Sequence, residues 1–414
     1  VPLDVVEEDA TPSMARSSAS PALRRCLGGF SKWMGKDHGT GAIYGFVNWI
    51  VCVPSLVSYA HIVFPQHEFR EFLPSVVKIF FLSSAVMQVA MTLLSEIQFA
   101  IGQIQDVGLI FLAGMVRNIV HMGHADRAVS SDGLMATSMW TCFCSTFVVG
   151  FALIAIGALK MIQYVQMLPL PVVGGYLGYI GYFCFAAGLA IGTGKEVNGP
   201  ETLLQLWDHT LLLKESLLFI FAAVMIFVHF KVKHFLAMPV TLLTLPVLFF
   251  VGAFLVGASL DDCRARGLLP YPRDMSSFKD VFTIVEPSEV HWHMMLGQKL
   301  NLLGLITIVT FGSSLDVAAI QAELPDRKLD YNRELQAIGF GNVCSSLVCG
   351  ATGSYIFSQT IFSAKRSVSS RVNGLVVAIG EFILFFAPVD ILQVLPNAYV
   401  GGIMCLFGVD IMTD

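Results

Sequence analysis

Residues 312–366 read GSSLDVAAIQAELPDRKLDYNRELQAIGFGNVCSSLVCGATGSYIFSQTIFSAKR. An apolar segment ends in a charged turn, and Asn332-Arg333-Glu334-Leu335 follows. Gly339, Gly341 and Asn342 lead into a Gly/Ser/Cys-rich stretch, and a short helix-forming segment with a polar start closes it. No soluble core needs that order. A membrane helix broken near its middle does, and such broken helices line the solute sites of transporters.

Composition places the rest of the chain in the same setting. Of 414 residues, 55% are hydrophobic and 13% charged, against about 25% charged in average soluble domains. The mean hydropathy is +0.70. These values describe an all-α polytopic membrane protein whose main partner is the lipid bilayer. The net charge of −5 says little about further partners, and no basic block suggests nucleic acid. Most of the nine cysteines lie in apolar segments, with Cys26 in the tail and Cys263 in a polar loop, so a disulfide framework is not expected. Cys142-x-Cys144 lacks a second pair and reads as packing. His291-Trp292-His293 reads as an interfacial belt and not as a metal site. Neither a metal nor a cofactor is expected. No nucleophile triad or phosphate loop suggests an enzyme. No signal peptide is visible in the polar, Ser-rich residues 1–40. The chain opens on Val, so a fragment or a processed form is expected.

A spanning helix needs about 20 apolar residues. Such segments lie near 42–64, 72–94, 136–160, 169–192, 215–230, 235–257, 298–321, 334–350, 368–388 and 396–413. Of these, 215–230 is short. Two more, 97–122 and 351–366, start polar, giving about twelve passes. With a cytoplasmic N-terminus, the basic residues Arg16, Arg24, Arg25, Lys32 and Lys36 lie inside. So do Lys231, Lys233, Arg327, Lys328, Arg333, Lys365, Arg366 and Arg371. The short loops then obey the positive-inside rule, which orients the chain. The loop 193–214 is mixed in charge, and the long loop 258–297 carries little orienting weight.

The two broken segments carry the functional reading. In the first, an extended stretch passes Gly102 and reaches Gln105 and Asp106, where an apolar helix starts. Asp106 is a helix N-cap by type and place, and an intramembrane carboxyl is usually functional. In the second, Gly350 to Ser354 is loop-like, and Tyr355 to Ala364 is too short to span. Either segment alone reads as close helix packing. One in each half of the chain points to an inverted-repeat transporter whose half-helix starts face a common pocket.

Asp330-x-Asn332-Arg333-Glu334-Leu335-x-Ala337-x-Gly339-x-Gly341-Asn342 resembles the signature of the SulP sulphate-permease family. Pro171 to Gly178 is similar to that family's fifth-span motif, and Leu395 to Gly402 to the start of its twelfth. Gly102 with Ile104-Gln105-Asp106 resembles the Q-D third-span start of one branch, and Gly45 to Tyr59 its first span. The likeness covers most of 42–414. It implies seven-plus-seven inverted repeats with two half-helices, of which about twelve spans are seen here. It implies a core domain from 42–164 and 298–390, and a gate domain from 165–257 and 391–414. Residues 1–41 would form a cytoplasmic tail and 258–297 an extracytoplasmic loop. It further implies an elevator motion, a homodimer, and a cytoplasmic STAS domain. The sequence stops at Asp414, before the last two spans, so a fragment or an ordered part is expected.

The resemblance implies secondary transport of a small anion of the sulphate or bicarbonate class, by proton coupling or exchange. Ser354, Ser358, Gln359 and Thr360 of the tenth span and Gln105 and Asp106 of the third would bind it. Pro54, Ser58 and Tyr59 of the first span would line the pocket. Many anion-carrying relatives place a basic residue near Gln359, which is neutral here. Asp106 would oppose an anion if ionised, and could hold a proton or a cation. The same fold therefore also fits a cationic or zwitterionic solute such as a basic amino acid. A non-transporting subunit that scaffolds an assembly is the reading from another class. The family often has an acid at Asp316, and proton coupling at Asp106 and Asp316 is expected. A plain polar link near the cytoplasmic end of the eighth span fits Asp316 equally. Glu381 reads as helix–helix hydrogen bonding. Asn332, Arg333 and Glu334 read as fixing a cytoplasmic turn.

Overall fold

The computed structural model describes residues 33–125, 129–161, 170–195, 212–232, 234, 236–270, 278, 280–325, 328–388 and 390–413. Arg16, Arg24, Arg25, Lys32, Lys233, Arg327 and Cys26 lie outside these residues, as does most of the 193–214 loop.

The first half holds β1 (Gly35–Lys36), α1 (His38–Val63), α2 (Leu73–Leu94), β2 (Gly102–Ile104) and α3 (Asp106–Ala125). It continues with α4 (Ser131–Ala158), α5 (Leu170–Thr193), α6 (Leu212–Lys231) and α7 (Ala237–Leu255). Short helices α8 (Leu260–Ala265) and α9 (Trp292–Leu296) lie in the connecting loop. The second half holds α10 (Lys299–Glu323), α11 (Tyr331–Ser346), β3 (Gly353–Tyr355), α12 (Phe357–Lys365), β4 (Ser369–Ser370), α13 (Val372–Phe386) and α14 (Asn397–Thr413). Among the described residues, seven helices, α1 to α4, α6, α7 and α10, are long and apolar enough to cross a membrane. The segment expected to be short at 215–230 is a full helix of 20 residues. The polar-started segment 97–122 divides into β2 and α3, and α3 alone is long enough to span. The loop-like 350–354 ends in the strand β3.

The packing shows the inverted repeat. Helix α2 packs on α13, and α11 packs on α4. Helix α1 packs on α13, and α10 packs on α4. Pairing α1–α5 in order with α10–α14 exchanges the members of each of these contacts. The same pairing makes β2 against β3, and α5 against α14, contacts between equivalents. A two-fold relation between the halves produces this pattern.

Lipid offers no hydrophobic force to hold helices together, so small residues at the seams decide how closely they pack. A Cβ at Gly401 of α14 would stand 2.4 Å from the Gly188 carbonyl of α5, and one at Gly188 would stand 2.5 Å from the Gly401 carbonyl. Both obstacles are backbone and cannot rotate away. Gly401→Leu is expected to cost about 3 kcal/mol or more, the upper range for overpacking. Heat-unfolding of the detergent-purified protein checks this, and an unchanged midpoint would show that the seam gives way freely.

Caps and clips set the ends. Asp330 caps α11, accepting from the Asn332 and Arg333 N–H groups at 3.0 and 3.3 Å. Arg333 pairs with Glu96 at 2.8 Å. Glu334, expected to fix a turn, is fully buried and ties three segments. It accepts from the Glu96 N–H at 2.9 Å and bonds the Tyr355 hydroxyl of β3, which also bonds Ser95 at 2.7 Å. Strand β1 pairs antiparallel with β4. Beside them Arg371 donates to the Trp33 and Ser95 carbonyls at 3.0 and 2.9 Å, with its guanidinium over the Trp33 ring.

Candidate functional site

Strands β2 and β3 lie side by side and antiparallel, with Gly102 opposite Tyr355, Gln103 opposite Ser354 and Ile104 opposite Gly353. All six residues are buried. The pairing extends at both ends, from Gln105 N–H to the Thr352 carbonyl and from Ile356 N–H to the Ile101 carbonyl, each at 2.9 Å. Inside a membrane every backbone polar group needs a partner, so the outer edges of a two-stranded ladder are a problem. Two side-chain amides solve it. Gln88 of α2 accepts from the Gly102 N–H at 2.9 Å and donates to the Ala100 carbonyl at 3.1 Å. Asn342 of α11 accepts from the Gly353 N–H and donates to the Gly353 carbonyl, both at 2.8 Å. Helices α2 and α11 are repeat equivalents, so the two amides do the same work in the two halves. Gly353 itself is needed because a Cβ there would meet the Gln103 carbonyl at 2.7 Å.

The ladder brings the starts of α3 and α12 together. Asp316 of α10 sits against both strands. Its Oδ2 accepts from Gln105 Nε2 at 3.1 Å and from Ser354 Oγ at 3.0 Å. Asp316 is thus a polar link between the end of β2 and β3. A Cβ at Gly312 would stand 2.9 Å from Gln105 Nε2, so the glycine makes room for the amide. Buried oxygens of Gln105, Ser313 and Thr352 have no hydrogen-bond partner.

Asp106 opens α3 and is half-buried. Its Oδ1 accepts from the N–H of the next residue, Val107, at 2.8 Å. An N-cap would accept from the second or third N–H of the helix, and Asp106 is itself the first helical residue, so this bond is not the expected cap. Asp106 lies within electrostatic range of Asp316 and of the Tyr59 hydroxyl. Among the described residues, no lysine, arginine or histidine pairs with either carboxylate.

The remaining expected residues divide. Ser358 is exposed at the start of α12, and Gln359 beside it is half-buried with its Oε1 accepting from Cys52 Sγ at 3.1 Å. Thr360 is fully buried, and its Oγ1 accepts from the Ile101 N–H at 3.2 Å. Ser58 is also buried, donating to the Pro54 carbonyl at 2.9 Å and to the Val400 carbonyl at 3.4 Å. Pro54 lines a small apolar crevice with Met238, Leu242, Ile403 and Phe407. Tyr59 packs against Phe407, with ring centroids 6.0 Å apart. Thr360, Ser58 and Pro54 thus hold the frame, while Gln105, Asp106, Asp316, Ser354, Ser358 and Gln359 surround the crossing.

Sequence reasoning missed the amides. Gln88, Asn48 and Asn373 each interrupt an apolar span, which is the signal that could have found them. Asn48 donates to Ser363 at 3.0 Å and to Asn373 at 3.2 Å, and Asn373 donates to the Phe99 carbonyl at 3.1 Å. These bonds seat α1, α12 and α13 around the approach to β2. Glu381 bonds Ser84 at 3.4 Å, a helix–helix bond as expected. Among the described residues no group of three His, Cys, Asp or Glu could hold a metal ion. Trp292 stacks edge-on against Trp140 at 5.5 Å between the two loop histidines.

Comparison with known proteins places this arrangement. A family model described as the sulfate permease family matches residues 43–414. The chain is 25% identical over 293 residues to the vacuolar basic amino acid transporter VSB1 of Saccharomyces cerevisiae, covering 69% of this chain and 28% of that protein. It is 24% identical over 295 residues to the bicarbonate transporter BicA of Picosynechococcus sp., covering 70% of this chain and 49% of BicA. The chain thus spans less than half the length of either relative. The solved transmembrane domain of a cyanobacterial BicA superposes with a TM-score of 0.64 at 18% identity, covering 90% of this chain and 88% of that one. The structure of SLC26A9 gives 0.68 at 13% identity, covering 98% and 66%. At such identities these two structures show the fold.

Proposed function

The chain belongs to the sulfate permease family, a family of membrane transporters, and on that premise we propose that it is the membrane part of a proton-linked secondary transporter whose small solute binds where β2 and β3 cross. The observation that carries the proposal is the pair of half-helix starts brought together over Asp106 and Asp316. Gln105, Ser354, Ser358 and Gln359 add hydrogen bonds there.

Charge balance narrows the cargo. Each helix N-terminus offers roughly half a positive charge. Two starts therefore supply about one positive charge against two carboxylates, when both are ionised. Solute and protons together must bring in about one positive charge more. Within the sulphate or bicarbonate class, a monovalent anion such as bicarbonate meets this rule by entering with two protons, one on Asp106 and one on Asp316, whereas divalent sulphate would need a third positive charge. This reading follows the family and the bicarbonate relatives. A basic amino acid meets the rule by entering alone. That second reading is favoured by the lack of any basic partner for the two carboxylates among the described residues, and by the likeness to a basic amino acid transporter.

Motion and assembly are further parts of the proposal. Helices α1–α4 and α10–α13 would carry the site as the core, covering 42–164 and 298–390. Helices α5–α7 and α14 would form the gate, covering 165–257 and 391–414, in a homodimer with the N-terminus cytoplasmic. The dense packing of α14 on α5 and α6 supports this division.

Asp106→Asn separates the cargoes, because its effect has opposite character in each. For an anion, the variant needs one proton fewer, so uptake into proteoliposomes persists and depends less steeply on external acid. For a cation, losing a carboxylate in a dry site costs more than about 2 kcal/mol, so arginine uptake falls at least about thirtyfold. If the wild type moves solute and Asp106→Asn changes nothing, the site lies elsewhere. A wild type that moves neither class, yet purifies in a stable larger complex, would instead be the scaffolding subunit.

A further inference from the structure

We infer that Glu381 is a third acid beside the crossing, that it keeps its proton throughout transport, and that through Ser84 it holds Gln103, the centre of β2, in place. Glu381 of α13, Ser84 of α2 and Gln103 are all buried. Ser84 Oγ bonds Gln103 Oε1 and lies 3.4 Å from Glu381 Oε1. Gln103 stands opposite Ser354 in the ladder, and Ser354 bonds Asp316. The two central residues of the ladder thus each lead to a carboxyl, Ser354 directly and Gln103 through one hydroxyl.

Counting protons fixes the state of Glu381. A serine hydroxyl has one proton to give. Ser84 gives it to Gln103, so its bond with Glu381 needs a proton from the carboxyl. Glu381 then donates to Ser84 Oγ, and Ser84 donates to Gln103 Oε1. Ionised, Glu381 would have no donor, because the hydroxyl is committed and Oε2 has no partner. With the Gln103 amide turned round, the carboxylate would have one neutral donor for a full charge, against two for Asp316. A buried charge so poorly served is costly enough that the group keeps a proton instead. Among the described residues no lysine, arginine or histidine pairs with Glu381. On the helices packed against α13, Lys78 donates to the Ala387 carbonyl at 3.1 Å and the Cys52 thiol donates to Gln359. Arg371, before α13, is bound to the Trp33 and Ser95 carbonyls. Neutral, Glu381 stays outside the charge balance and leaves it to Asp106 and Asp316.

Infrared spectra of the full chain in lipid test the proton directly. Wild type minus Glu381→Gln should show the C=O stretch of a protonated carboxyl, equally strong from neutral to mildly alkaline pH. Its absence at neutral pH overturns the inference, whatever the protein transports. Uptake into proteoliposomes tests the positioning role, which rests on the site proposed above. The amide of Glu381→Gln donates as the protonated acid does, so KM and the dependence on external acid should stay within about twofold of wild type. Glu381→Leu removes the donor and lets Gln103 shift, which should raise KM about tenfold or more. If that variant does not fold, Ser84→Ala cuts the same link and should raise KM likewise. A folded Glu381→Gln that loses its dependence on external acid overturns the inference, because the proton would then move with the solute. Unchanged KM in Glu381→Leu and Ser84→Ala, with Asp106→Asn still effective, overturns the positioning role and leaves the site standing. No effect of Asp106→Asn would sink the site itself, and the infrared difference alone would then uphold or overturn the proton on Glu381.

Discussion

Asp316→Ala is expected to reduce transport of any solute by at least about a hundredfold, or roughly 2.7 kcal/mol. The reason is local. Asp316 is the common acceptor for Gln105, which precedes α3, and Ser354 of β3. Removing it strands two buried donors, at about 1–3 kcal/mol each, and deletes one of the two charges in the balance. Asp316→Asn distinguishes these losses. The amide oxygen still accepts one bond, so the unfolding midpoint should recover most of its wild-type value. Transport of a cation should stay low, because an amide attracts no cation, whereas anion uptake should persist with a shallower dependence on external acid, by the same charge balance as at Asp106. Uptake assays paired with thermal unfolding of both variants check the two halves of the argument. Wild-type transport by Asp316→Asn would remove Asp316 from the coupling role while keeping it in the frame.

A second large effect is expected at Asn342. Asn342→Leu removes both bonds to Gly353, leaving an N–H and a C=O unpaired in the dry interior. At about 1–3 kcal/mol for each orphaned group the loss is about 2–6 kcal/mol, a large share of the roughly 5–15 kcal/mol that holds a typical protein folded. The folded yield and the thermal midpoint should both drop sharply. Gln88→Leu should cost a comparable amount, since it orphans the equivalent edge of β2. A drop of less than about 0.5 kcal/mol at either position would mean that the ladder edge finds another partner, the outcome expected of an ordinary surface change.

The spans were legible because a bilayer demands long apolar runs, and composition alone reveals them. The two interrupted segments were legible because polar starts followed by apolar stretches are costly in a membrane. Their strands were not. Gly102–Ile104 and Gly353–Tyr355 are three residues long, too short for an alternating pattern, and both faces are buried. Nothing local says that residues so far apart will pair. Asp316 was visible as an acid, but its two partners come from different elements, so its position remained open until the fold brought Gln105 and Ser354 to it. Thr360 was legible as a hydroxyl near the half-helix start, but its bond to the Ile101 N–H, 259 residues away, was not.

The strand ladder also has a consequence for how the protein is made. Ile101 and Thr360, bonded beside it, are 259 residues apart. Synthesis at about 5–20 residues per second leaves the first half waiting roughly ten to fifty seconds for its partner strand. During that wait β2 has Gln88 along one edge and no strand along the other. A bare strand edge in lipid is untenable, so the nascent first repeat is expected to keep β2 out of the hydrocarbon, at the translocon or in water. The solute cradle then forms last, when the second repeat arrives, and a ribosome stalled before residue 353 leaves a chain that the membrane cannot accept as folded.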